Sequence, residues 1–470
     1  MTTLPAHFAA AARRFPDRIA IVDGRGRDTS FADLKARADG FAARWQAQGI
    51  GPGDRVLVAR PVDADLYASL AALWTLGAVA VLPEPAMGLA GLRHAARVTR
   101  PKAFCTGGWY RALGLLLPEL WGVTTLGGQP GHGAPAPVAQ AGDTALISFT
   151  SGSTGQPKAI PRSHAFLMAQ HDAVAPLLHS DAPQRDLVAF PVFTLINLAA
   201  GQTSVLPNWK MSRLAALTPQ QLRDWMTRQR VTRALIPPAL CDKLAEAGLP
   251  PDLRHIFTGG GPVFPDLLAR LQRMGHAGIT CVYGSTEAEP IAHLDVRDIA
   301  DADRAAMIRG EGLLVGPPVP GLQLRIRDDE IQVAGDHVNP GYLDPAHDAE
   351  NKLPQGSTIW HRTGDAGRLD DRGRLWLLGR IGSDVAIGGA RRFPFQVEIA
   401  ARQWPGVTQA ALVAKGTTPV LALAGDAARL PAWRAAAAGL GIANVRHFDR
   451  LPMDRRHGSK IDRQTLRGML

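Results

Sequence analysis

A run of small and hydroxyl-bearing residues at 150–158 has the composition of a phosphate-binding loop. It follows an apolar, β-prone run at 145–149, and an apolar helical pattern begins near His164. Glycines let backbone N–H groups approach a ligand closely, hydroxyls add donors and a lysine adds a point charge, so the run suits a polyphosphate. The residues that we expect to bind phosphate are Thr150, Ser151, Gly152, Ser153, Thr154, Gly155 and Lys158.

The same composition is also typical of a solvated turn between a strand and a helix. The spacing excludes a Walker A loop, because Gly152 and Gly155 lie too close together and no Gly-Lys-Ser/Thr follows. It also excludes the dinucleotide pattern G-x-G-x-x-G. A polyphosphate loop of another type and a solvated turn are the alternatives that the residues leave open.

Two further glycine-containing segments follow predicted strands at 254–258 and 279–282. The first is Gly259-Gly260-Gly261-Pro262, and the second is Tyr283-Gly284-Ser285-Thr286-Glu287. The carboxyl ends of strands are where open α/β sheets bind ligands. The second segment ends on a carboxylate, whose hard oxygens suit Mg²⁺. Both segments are therefore candidate ligand-binding sites.

Three short motifs stand in the last quarter of the chain. They are Thr363-Gly364-Asp365, Gly379-Arg380 and, close to the end, 458–463 with the sequence Gly-Ser-Lys-Ile-Asp-Arg. In order and spacing, the motifs from 150 onwards resemble those of the adenylate-forming superfamily: acyl-CoA synthetases, adenylation domains of peptide synthetases and beetle luciferases. The resemblance covers nearly the whole chain.

The resemblance implies a set of nucleotide-binding roles. Tyr283 would stack on adenine, Thr286 would contact phosphate, and Glu287 would hold Mg²⁺. Asp365 would accept hydrogen bonds from both ribose hydroxyls, which matches two donors to two carboxylate oxygens, with Arg380 nearby. The full adenine- and ribose-binding set is Gly260, Gly261, Pro262, Tyr283, Gly284, Asp365 and Arg380.

The resemblance also implies the reaction and its cofactors. ATP and Mg²⁺ would activate a small-molecule carboxylic acid to an acyl adenylate with release of pyrophosphate. The catalytic residues would be Thr286, Glu287 and Lys460, the last stabilising charge in the transition state. Phe193, Asn197 and Gly259 would line the acyl pocket, whose apolar bias suggests an acyl or aryl chain.

The acceptor in the second half-reaction is left open by two departures from the family pattern. Many acyl-CoA synthetases carry a His after Pro-x-Phe, where this chain has Thr194, and the hinge position after Gly-Arg is Gly382 rather than Asp or Lys. Glycine is permissive for rotation between domains. Hinge motion is therefore still expected.

Four segments resemble olefin-pathway β-lactone synthetases, which close a β-hydroxy acyl adenylate internally. They are 80–88, 190–197, 360–365 and 452–460, whereas 388–398 follows the G-G-x-R-x-x-P-x-x-x-E pattern of thioester-forming members. We favour transfer to a thiol, either CoA or the phosphopantetheine of a carrier protein, as in an AMP-forming acid–thiol ligase. Lactone closure is the alternative, and a non-catalytic nucleotide-binding relative is an alternative of another class.

Charge and composition restrict the partners. The net charge is +10, and residues 381–470 hold 13 Lys and Arg against six Asp and Glu. A basic face of this kind attracts CoA or an acidic acyl carrier protein, expected to act in trans, although it is also typical of a merely solvated surface. The absence of an aromatic-interleaved basic run argues against nucleic acid.

Length, hydropathy and cysteine usage predict a cytoplasmic protein of several domains without a membrane span. The chain has 470 residues and 46% apolar residues, with no apolar run of 18 residues and no signal-peptide pattern. Cys105, Cys241 and Cys281 fit neither a disulfide framework nor zinc-ligand spacing, so we expect small core residues.

The periodicity predicts an α/β fold. Helices are expected at 4–15, 31–48, 63–76, 219–228 and 265–274, and strands at 18–22, 55–59, 78–82, 186–190 and 233–236. Residues 1–380 would form a large N-terminal adenylation domain, made of two α/β subdomains and a small β-rich subdomain that begins near 312. Residues 381–470 would form a small, mobile α+β C-terminal domain that carries the catalytic lysine.

Overall fold

The computed structural model describes residues 3–83, 87–150, 157–275, 277–454 and 458–470. Five short 3₁₀ helices accompany the α-helices of this part of the chain, at Gly108–Ala112, Pro118–Leu120, Met211–Ala216, Val296–Asp298 and Ala427–Arg429. The α-helices are α1 (Leu4–Arg14), α2 (Phe31–Ala47), α3 (Ala64–Thr75), α4 (Gly88–Thr99), α5 (Leu113–Leu116), α6 (His164–Leu178), α7 (Pro191–Ala200), α8 (Pro219–Arg228), α9 (Pro238–Ala247), α10 (Pro265–Met274), α11 (Asp301–Ile308), α12 (Ala346–Asn351), α13 (Phe395–Arg402), α14 (Leu430–Gly439) and α15 (Arg463–Gly468).

The strands of the described residues form five sheets. They are β1 (Ile19–Val22), β2 (Asp28–Ser30), β3 (Arg55–Ala59), β4 (Val79–Leu82), β5 (Ala103–Thr106), β6 (Thr124–Leu126), β7 (Thr144–Thr150), β8 (Lys158–Ser163), β9 (Arg185–Val188), β10 (Thr203–Val205), β11 (Arg233–Ile236), β12 (His255–Gly259), β13 (Gly278–Ser285), β14 (Ala288–Asp295), β15 (Leu313–Gly316), β16 (Gln323–Arg327), β17 (Glu330–Ala334), β18 (Lys352–Gln355), β19 (Thr358–Leu369), β20 (Leu375–Arg380), β21 (Val385–Ile387), β22 (Ala390–Arg392), β23 (Val407–Lys415), β24 (Thr418–Gly425) and β25 (Asn444–Phe448).

Two large, mostly parallel sheets confirm the predicted α/β class. The first has the order β6-β5-β3-β4-β7-β8, and the second has the order β14-β13-β12-β11-β9-β10-β1-β2. The strand β1 pairs in parallel with β10 in the second sheet. The two sheets are therefore not formed by two successive segments of the chain. Apolar periodicity predicts that β1 is a strand, whereas its partner is decided by packing over long range.

The predicted β-rich subdomain is a third, antiparallel sheet. Its order is β15-β20-β19-β17-β16, with β18 paired to β19, and it extends to the end of β20 at Arg380. The three cysteines are buried and free, as expected. Within the described residues no helix combines the length and the apolar character that a membrane crossing needs.

The C-terminal segment has a sheet of its own and contacts the rest of the chain. A hairpin of β21 and β22 precedes the sheet β23-β24-β25. One apolar cluster of this segment includes Leu412 and Trp433, and another includes Val413 and Leu466. Ile399 of α13 belongs instead to the largest cluster of the N-terminal part. Through Ile399, α13 therefore packs this segment against the apolar core of the N-terminal part.

Two segments that the sequence places in strand-to-loop transitions are tips of β-hairpins. Lys158 does not close a loop before a helix; it begins β8, which pairs antiparallel with β7, and α6 begins only at His164. Likewise β13 does not end at Val282 but continues through Ser285 and turns back into β14. The prediction of a loop that leads from Lys158 directly into a helix is wrong. The sequence did not reveal β8, because the residues of this edge strand do not alternate between apolar and polar as a half-buried strand does.

A buried ion pair clamps two neighbouring strands of the second sheet. The Arg233 guanidinium on β11 donates two hydrogen bonds of 2.7 Å to the carboxylate of Asp186 on β9, and a third to the carbonyl of Leu178. The two side chains are 7% and 0% exposed. Removing one partner would leave a buried charge without compensation.

We expect Arg233→Met to lower the free energy of unfolding by about 3–5 kcal/mol, because Asp186 would stay buried without its cation. Urea unfolding followed by far-UV circular dichroism measures the change. The matched control is Arg309→Met. The Arg309 side chain is 62% exposed and pairs with Glu311, so we expect its removal to leave stability nearly unchanged. Equal stability of the two variants would contradict the assignment.

Candidate active site

The hairpin of β7 and β8 presents Thr150 and Lys158 directly opposite each other. The two residues pair across the strands, and the side chain of Lys158 is only 6% exposed. Its Nζ lies 3.0 Å from Oε2 of Glu350 and 5.7 Å from the ring centroid of Tyr342. The other predicted phosphate-binding residues, Ser151, Gly152, Ser153, Thr154 and Gly155, lie outside the described residues.

The hairpin of β13 and β14 carries Thr286 and Glu287 at its tip and lies next to the first hairpin. Nη2 of Arg162, a buried residue of β8, donates a hydrogen bond of 2.6 Å to the carbonyl of Thr286. The hydroxyl of Tyr342 donates to Oε1 of Glu287 at 3.2 Å. Tyr342 therefore lies between Lys158 and Glu287, and the fold brings these two predicted site residues together.

Glu287 fits the predicted role at a magnesium ion. The part of the chain that the structure describes contains no cluster of three or more His, Cys, Asp or Glu side chains able to hold a metal. Mg²⁺ is usually held by one or two carboxylates together with waters and substrate phosphates rather than by a cage of protein ligands. A single carboxylate at a hairpin tip, beside a lysine, meets that requirement.

Tyr283, Asp365 and Arg380 form a compact triad. The Tyr283 hydroxyl donates to Oδ2 of Asp365 at 2.8 Å, and Nη1 of Arg380 lies 2.9 Å from Oδ1. Burial, with the carboxylate of Asp365 alongside, raises the pKa of Tyr283 well above its usual value. The same carboxylate raises the pKa of the Arg380 guanidinium. Each oxygen of Asp365 has one protein donor and retains a lone pair, so it can still accept a hydroxyl.

The backbone explains how the triad forms. Asp365 on β19 and Arg380 on β20 are paired residues of the antiparallel third sheet. Gly364 has φ +69°, and a Cβ there would lie 2.9 Å from Nη2 of Arg380, so glycine is needed for the guanidinium to approach. Tyr283 comes from the second sheet. The triad therefore joins two sheets.

The glycine loop after β12 is covered by the C-terminal element that contains Lys460. The hydroxyl of Ser459 accepts a hydrogen bond of 3.2 Å from the backbone N–H of Ala239. A Cβ at Gly261 would lie 2.6 Å from Cβ of Ser459, so only glycine allows this contact. The backbone N–H groups of Ser459 and Lys460 both donate to Oδ1 of Asp454, which holds these two residues against Asp454. Lys460 is exposed at the edge of the candidate site.

Two cavities adjoin the nucleotide-site segments. The larger has about 520 Å³ of empty space, open solvent at its mouth included, and is lined by Phe193, Gly259, Gly260 and Gly284 among other residues. The smaller has about 350 Å³ measured in the same way and shares Phe193 with it. Two of the three predicted acyl-pocket residues therefore line the larger cavity. Asn197 does not line either cavity: it is buried, and its Nδ2 donates to the Ser204 hydroxyl at 3.1 Å, which anchors α7 to β10.

Sequence reasoning missed a buried polar cluster behind Glu287. Nζ of Lys352 donates to the carbonyl of Asn339 and lies 3.2 Å from Nδ1 of His361 and 5.3 Å from the ring centroid of Tyr342. The backbone N–H of Asn339 in turn donates to the carbonyl of Glu287 at 2.7 Å. Burial lowers the pKa of Lys352 to about 8 and, with Lys352 alongside, lowers that of His361 to about 3. Lys352 belongs to no motif, so the sequence does not indicate that this lysine is buried or that it lies near Glu287.

The chain belongs to the family of AMP-binding enzymes, since the family model matches residues 8–343. It is an adenylate-forming enzyme. It is 32% identical to the olefin β-lactone synthetase of Xanthomonas campestris pv. campestris over 99% of this chain and 97% of that protein. It is also 29% identical to the salicyl-AMP ligase/salicyl-S-ArCP synthetase of Mycobacterium tuberculosis, over 87% of this chain and 79% of that one.

Solved structures agree on the fold. The amide bond synthetase McbA of Marinactinospora thermotolerans superposes with a TM-score of 0.82 at 22% identity, covering 99% of this chain and 100% of that one. The o-succinylbenzoate CoA synthetase MenE of Bacillus subtilis, in complex with its acyl adenylate, gives 0.80 at 23% identity, with 99% and 98% covered. Both confirm the predicted large α/β N-terminal part and smaller C-terminal part.

The buried Lys352 predicts a specific pH dependence of stability. Its pKa is about 8 in the folded protein and 10.5 ordinarily, so between these values the unfolded chain binds more protons and stability rises with pH. Relative to Lys352→Met, we expect the wild type to gain about 3 kcal/mol of unfolding free energy between pH 8 and pH 10.5.

Urea titrations of both proteins at several pH values measure this difference, since the titration of all other lysines cancels in it. The control is Lys210→Met, which removes an exposed lysine instead of a buried one. A flat difference for Lys352→Met would show that this lysine is not held in a low-pKa environment.

Proposed function

We propose that this protein adenylates a hydroxy acid with an apolar chain and closes the acyl adenylate to a β-lactone. The observation that carries the proposal is the similarity to olefin β-lactone synthetases across nearly the full length of both chains. A β-lactone is the cyclic ester of a 3-hydroxy acid, so such an enzyme needs no external acceptor. The apolar cavity beside Gly259 and Gly260 supports an acid with a hydrocarbon chain.

The proposed roles in adenylation follow from the positions of the side chains. Asp365, with Tyr283 and Arg380, would hold the ribose and adenine; Lys158 would pair with the phosphates. Glu287 would hold Mg²⁺, which neutralises phosphate charge when bound. The partner of Lys158 in its ion pair, Glu350, has a side chain that is 60% exposed, so this pair is easily exchanged and the lysine can turn to a phosphate.

The first half-reaction demands positioning rather than covalent chemistry. A carboxylate oxygen of the acid attacks the α-phosphorus in line, and the bond to the pyrophosphate oxygen breaks. The acid is ionised at neutral pH, so no general base is required. Lys460 would approach from the C-terminal element against Gly261 and stabilise the charge that develops on the phosphate and the carboxylate oxygens.

Transfer to a thiol is the second candidate, and the sequence favours it through the pattern at 388–398. The structure supplies another reason for the glutamate of that pattern. Glu398 is 1% exposed and accepts hydrogen bonds from the backbone N–H of Leu412, at 2.8 Å, and from Arg463, at 2.6 Å. It thus ties α13 to β23 and α15, whichever acceptor is used. The similarity to a salicyl-AMP ligase/salicyl-S-ArCP synthetase also supports transfer to a thiol.

The domain boundary at Gly382 is part of the proposal. Gly382 has φ +75°, and a Cβ there would have nothing within 4 Å, so the chain can turn at this point without a steric barrier. The C-terminal segment is held on the N-terminal part by the ion pair of Arg402 with Asp266 and by the packing of Phe395 on Phe264. Rotation about Gly382 would break both contacts.

Acid-dependent ATP–pyrophosphate exchange tests the first step. We expect exchange with 3-hydroxy acids of medium or long chain, and AMP release with lactone formation in the absence of CoA and carrier protein. AMP release that requires a thiol would instead support the ligase. No exchange with fatty, aryl, 3-hydroxy or amino acids would contradict adenylation of these acid classes.

Lys460→Ala is expected to slow adenylation by roughly 10²–10³-fold, because one preorganised electrostatic contact to the transition state is removed. Stopped-flow release of pyrophosphate measures the rate. Arg467→Ala, at another exposed basic residue of the same terminal segment, is the control and should retain the rate. A Lys460→Ala enzyme with nearly full activity would remove this residue from the mechanism.

A disulfide that locks the C-terminal element tests whether the second step needs domain rotation. A Cβ at Gly458 would lie 4.0 Å from Cβ of Ala239, within the range of about 3.5–4.5 Å found in disulfides. For a lactone synthetase, we expect oxidised Ala239→Cys/Gly458→Cys to keep both pyrophosphate exchange and lactone release. For a thiol ligase, oxidation would stop the transfer and reduction would restore it.

The two single-cysteine variants control for the strain of a side chain at Gly458, where φ is +61°, and for the substitution of Ala239. Loss of exchange in the oxidised double variant but not in the single variants would show that the locked arrangement is not the adenylating one.

A further inference from the structure

The segment 337–343, between β17 and β18, is hydrogen-bonded to both hairpins of the candidate site. The backbone N–H of Asn339 donates to the carbonyl of Glu287 at 2.7 Å, at the tip between β13 and β14. The backbone N–H of Leu343 donates to the carbonyl of Ala159 on β8 at 2.9 Å. The segment therefore spans the space between the two hairpins, and Tyr342 lies within it.

The position of Tyr342 is fixed by contacts that do not involve the hairpin tip. The residue is only 6% exposed. Its backbone N–H donates to Oδ1 of Asp348 at 2.8 Å, and its ring meets that of His347 edge-on, with the centroids 6.0 Å apart. Because the ring is held in this way, its hydroxyl presents a fixed donor to Oε1 of Glu287, 3.2 Å away.

The direction of this hydrogen bond is set by the chemistry of the two groups. A tyrosine keeps its phenol proton at neutral pH, whereas an ionised carboxylate can only accept. Tyr342 therefore occupies one lone pair of Oε1 and draws charge from that oxygen. Oε2 of Glu287 remains the stronger ligand for a cation.

A carboxylate held by one oxygen is suited to one kind of divalent cation. Carboxylates that bind metals are themselves commonly hydrogen-bonded, and these outer partners orient them. Mg²⁺ is small and demands near-ideal octahedral geometry, whereas Ca²⁺ takes six to eight oxygens and accepts both oxygens of a carboxylate. A fixed carboxylate that offers one oxygen thus favours Mg²⁺, and a freely turning carboxylate suits Ca²⁺ better.

We propose that Tyr342 is a positioning residue that holds Glu287 with Oε2 available to the metal ion, and that this contact favours Mg²⁺ over Ca²⁺. The inference rests on the proposed role of Glu287 at Mg²⁺. Tyr342 acts through Glu287 and takes no part in the chemistry of either half-reaction. It is a determinant of metal preference that belongs to none of the motifs.

Tyr342→Phe removes the hydroxyl and keeps the ring and the backbone hydrogen bond. We expect the Mg²⁺ concentration for half-maximal ATP–pyrophosphate exchange to rise by roughly 10–100-fold, the usual effect of losing an outer partner of a metal ligand. The exchange rate at saturating Mg²⁺ should stay close to that of the wild type. The matched control is Tyr110→Phe, at a half-buried tyrosine that stacks on Trp109, and it should keep the wild-type Mg²⁺ requirement.

Metal binding is also measured without turnover. Electron paramagnetic resonance follows Mn²⁺ bound to the complex of the protein with a non-hydrolysable ATP analogue, and Mg²⁺ or Ca²⁺ is added to displace it. We expect Tyr342→Phe to weaken Mg²⁺ more than Ca²⁺, so that the ratio of the two affinities falls. In a Glu287→Gln background the same substitution should add no further loss, because Tyr342 acts through that carboxylate.

The outcomes separate failure of this inference from failure of the proposed function. Wild-type exchange that needs no divalent cation, or Mn²⁺ binding unchanged by Glu287→Gln, would remove the proposed role of Glu287 itself. With that role intact, an unchanged Mg²⁺ requirement and an unchanged ratio of affinities in Tyr342→Phe would overturn the inference. A lower thermal stability with unchanged metal affinity would show that the hydroxyl is merely structural, and would overturn it as well.

Discussion

The site depends on one contact between two sheets. Arg162 projects from β8 of the first sheet and donates its hydrogen bond to the carbonyl of Thr286, at the hairpin tip of the second sheet. This contact joins the hairpin that carries Lys158 to the hairpin that carries Glu287. Because Arg162 is buried, the hydrogen bond is shielded from water and holds its geometry. A phosphate chain that contacts both hairpins needs this fixed separation.

The third sheet carries the remaining residues proposed to contact the nucleotide, together with a buried support. Asp365 and Arg380 are held as register partners on β19 and β20. Lys352, at the start of β18, lies behind Tyr342 and the carbonyl of Asn339. A lysine in this position lies within the electrostatic field of Glu287 and raises the local positive potential without exposing a second cation. The cost is desolvation, which lowers the pKa of Lys352.

The position of the C-terminal segment bears on which of the two half-reactions this structure fits. Ser459 packs on Gly261, and Lys460 follows it at the edge of the site. In this arrangement the element with Lys460 covers the glycine loop, as the role proposed for Lys460 in adenylation requires. Under the proposed lactone function, an internal hydroxyl completes the reaction and no external acceptor has to enter.

The sequence by itself determined the class of the fold and most of the nucleotide site. Strands and helices such as β11, α8 and α10 are found at their predicted bounds, because strong apolar periodicity fixes both type and length. Tyr283, Asp365 and Arg380 were identifiable because their motifs are short and continuous. Their mutual contacts confirm that they share one site, whereas their roles remain predictions.

Only the tertiary structure decided which segments meet. The pairing of β1 with β10, the hairpins behind Lys158 and Glu287, and the position of Asn197 away from the cavities all depend on contacts between residues far apart in the chain. Periodicity reports only whether a side chain faces a core, and it does not say which core. Lys352 and Tyr342 are single polar residues without a motif, so their proximity to the site follows from sheet packing alone.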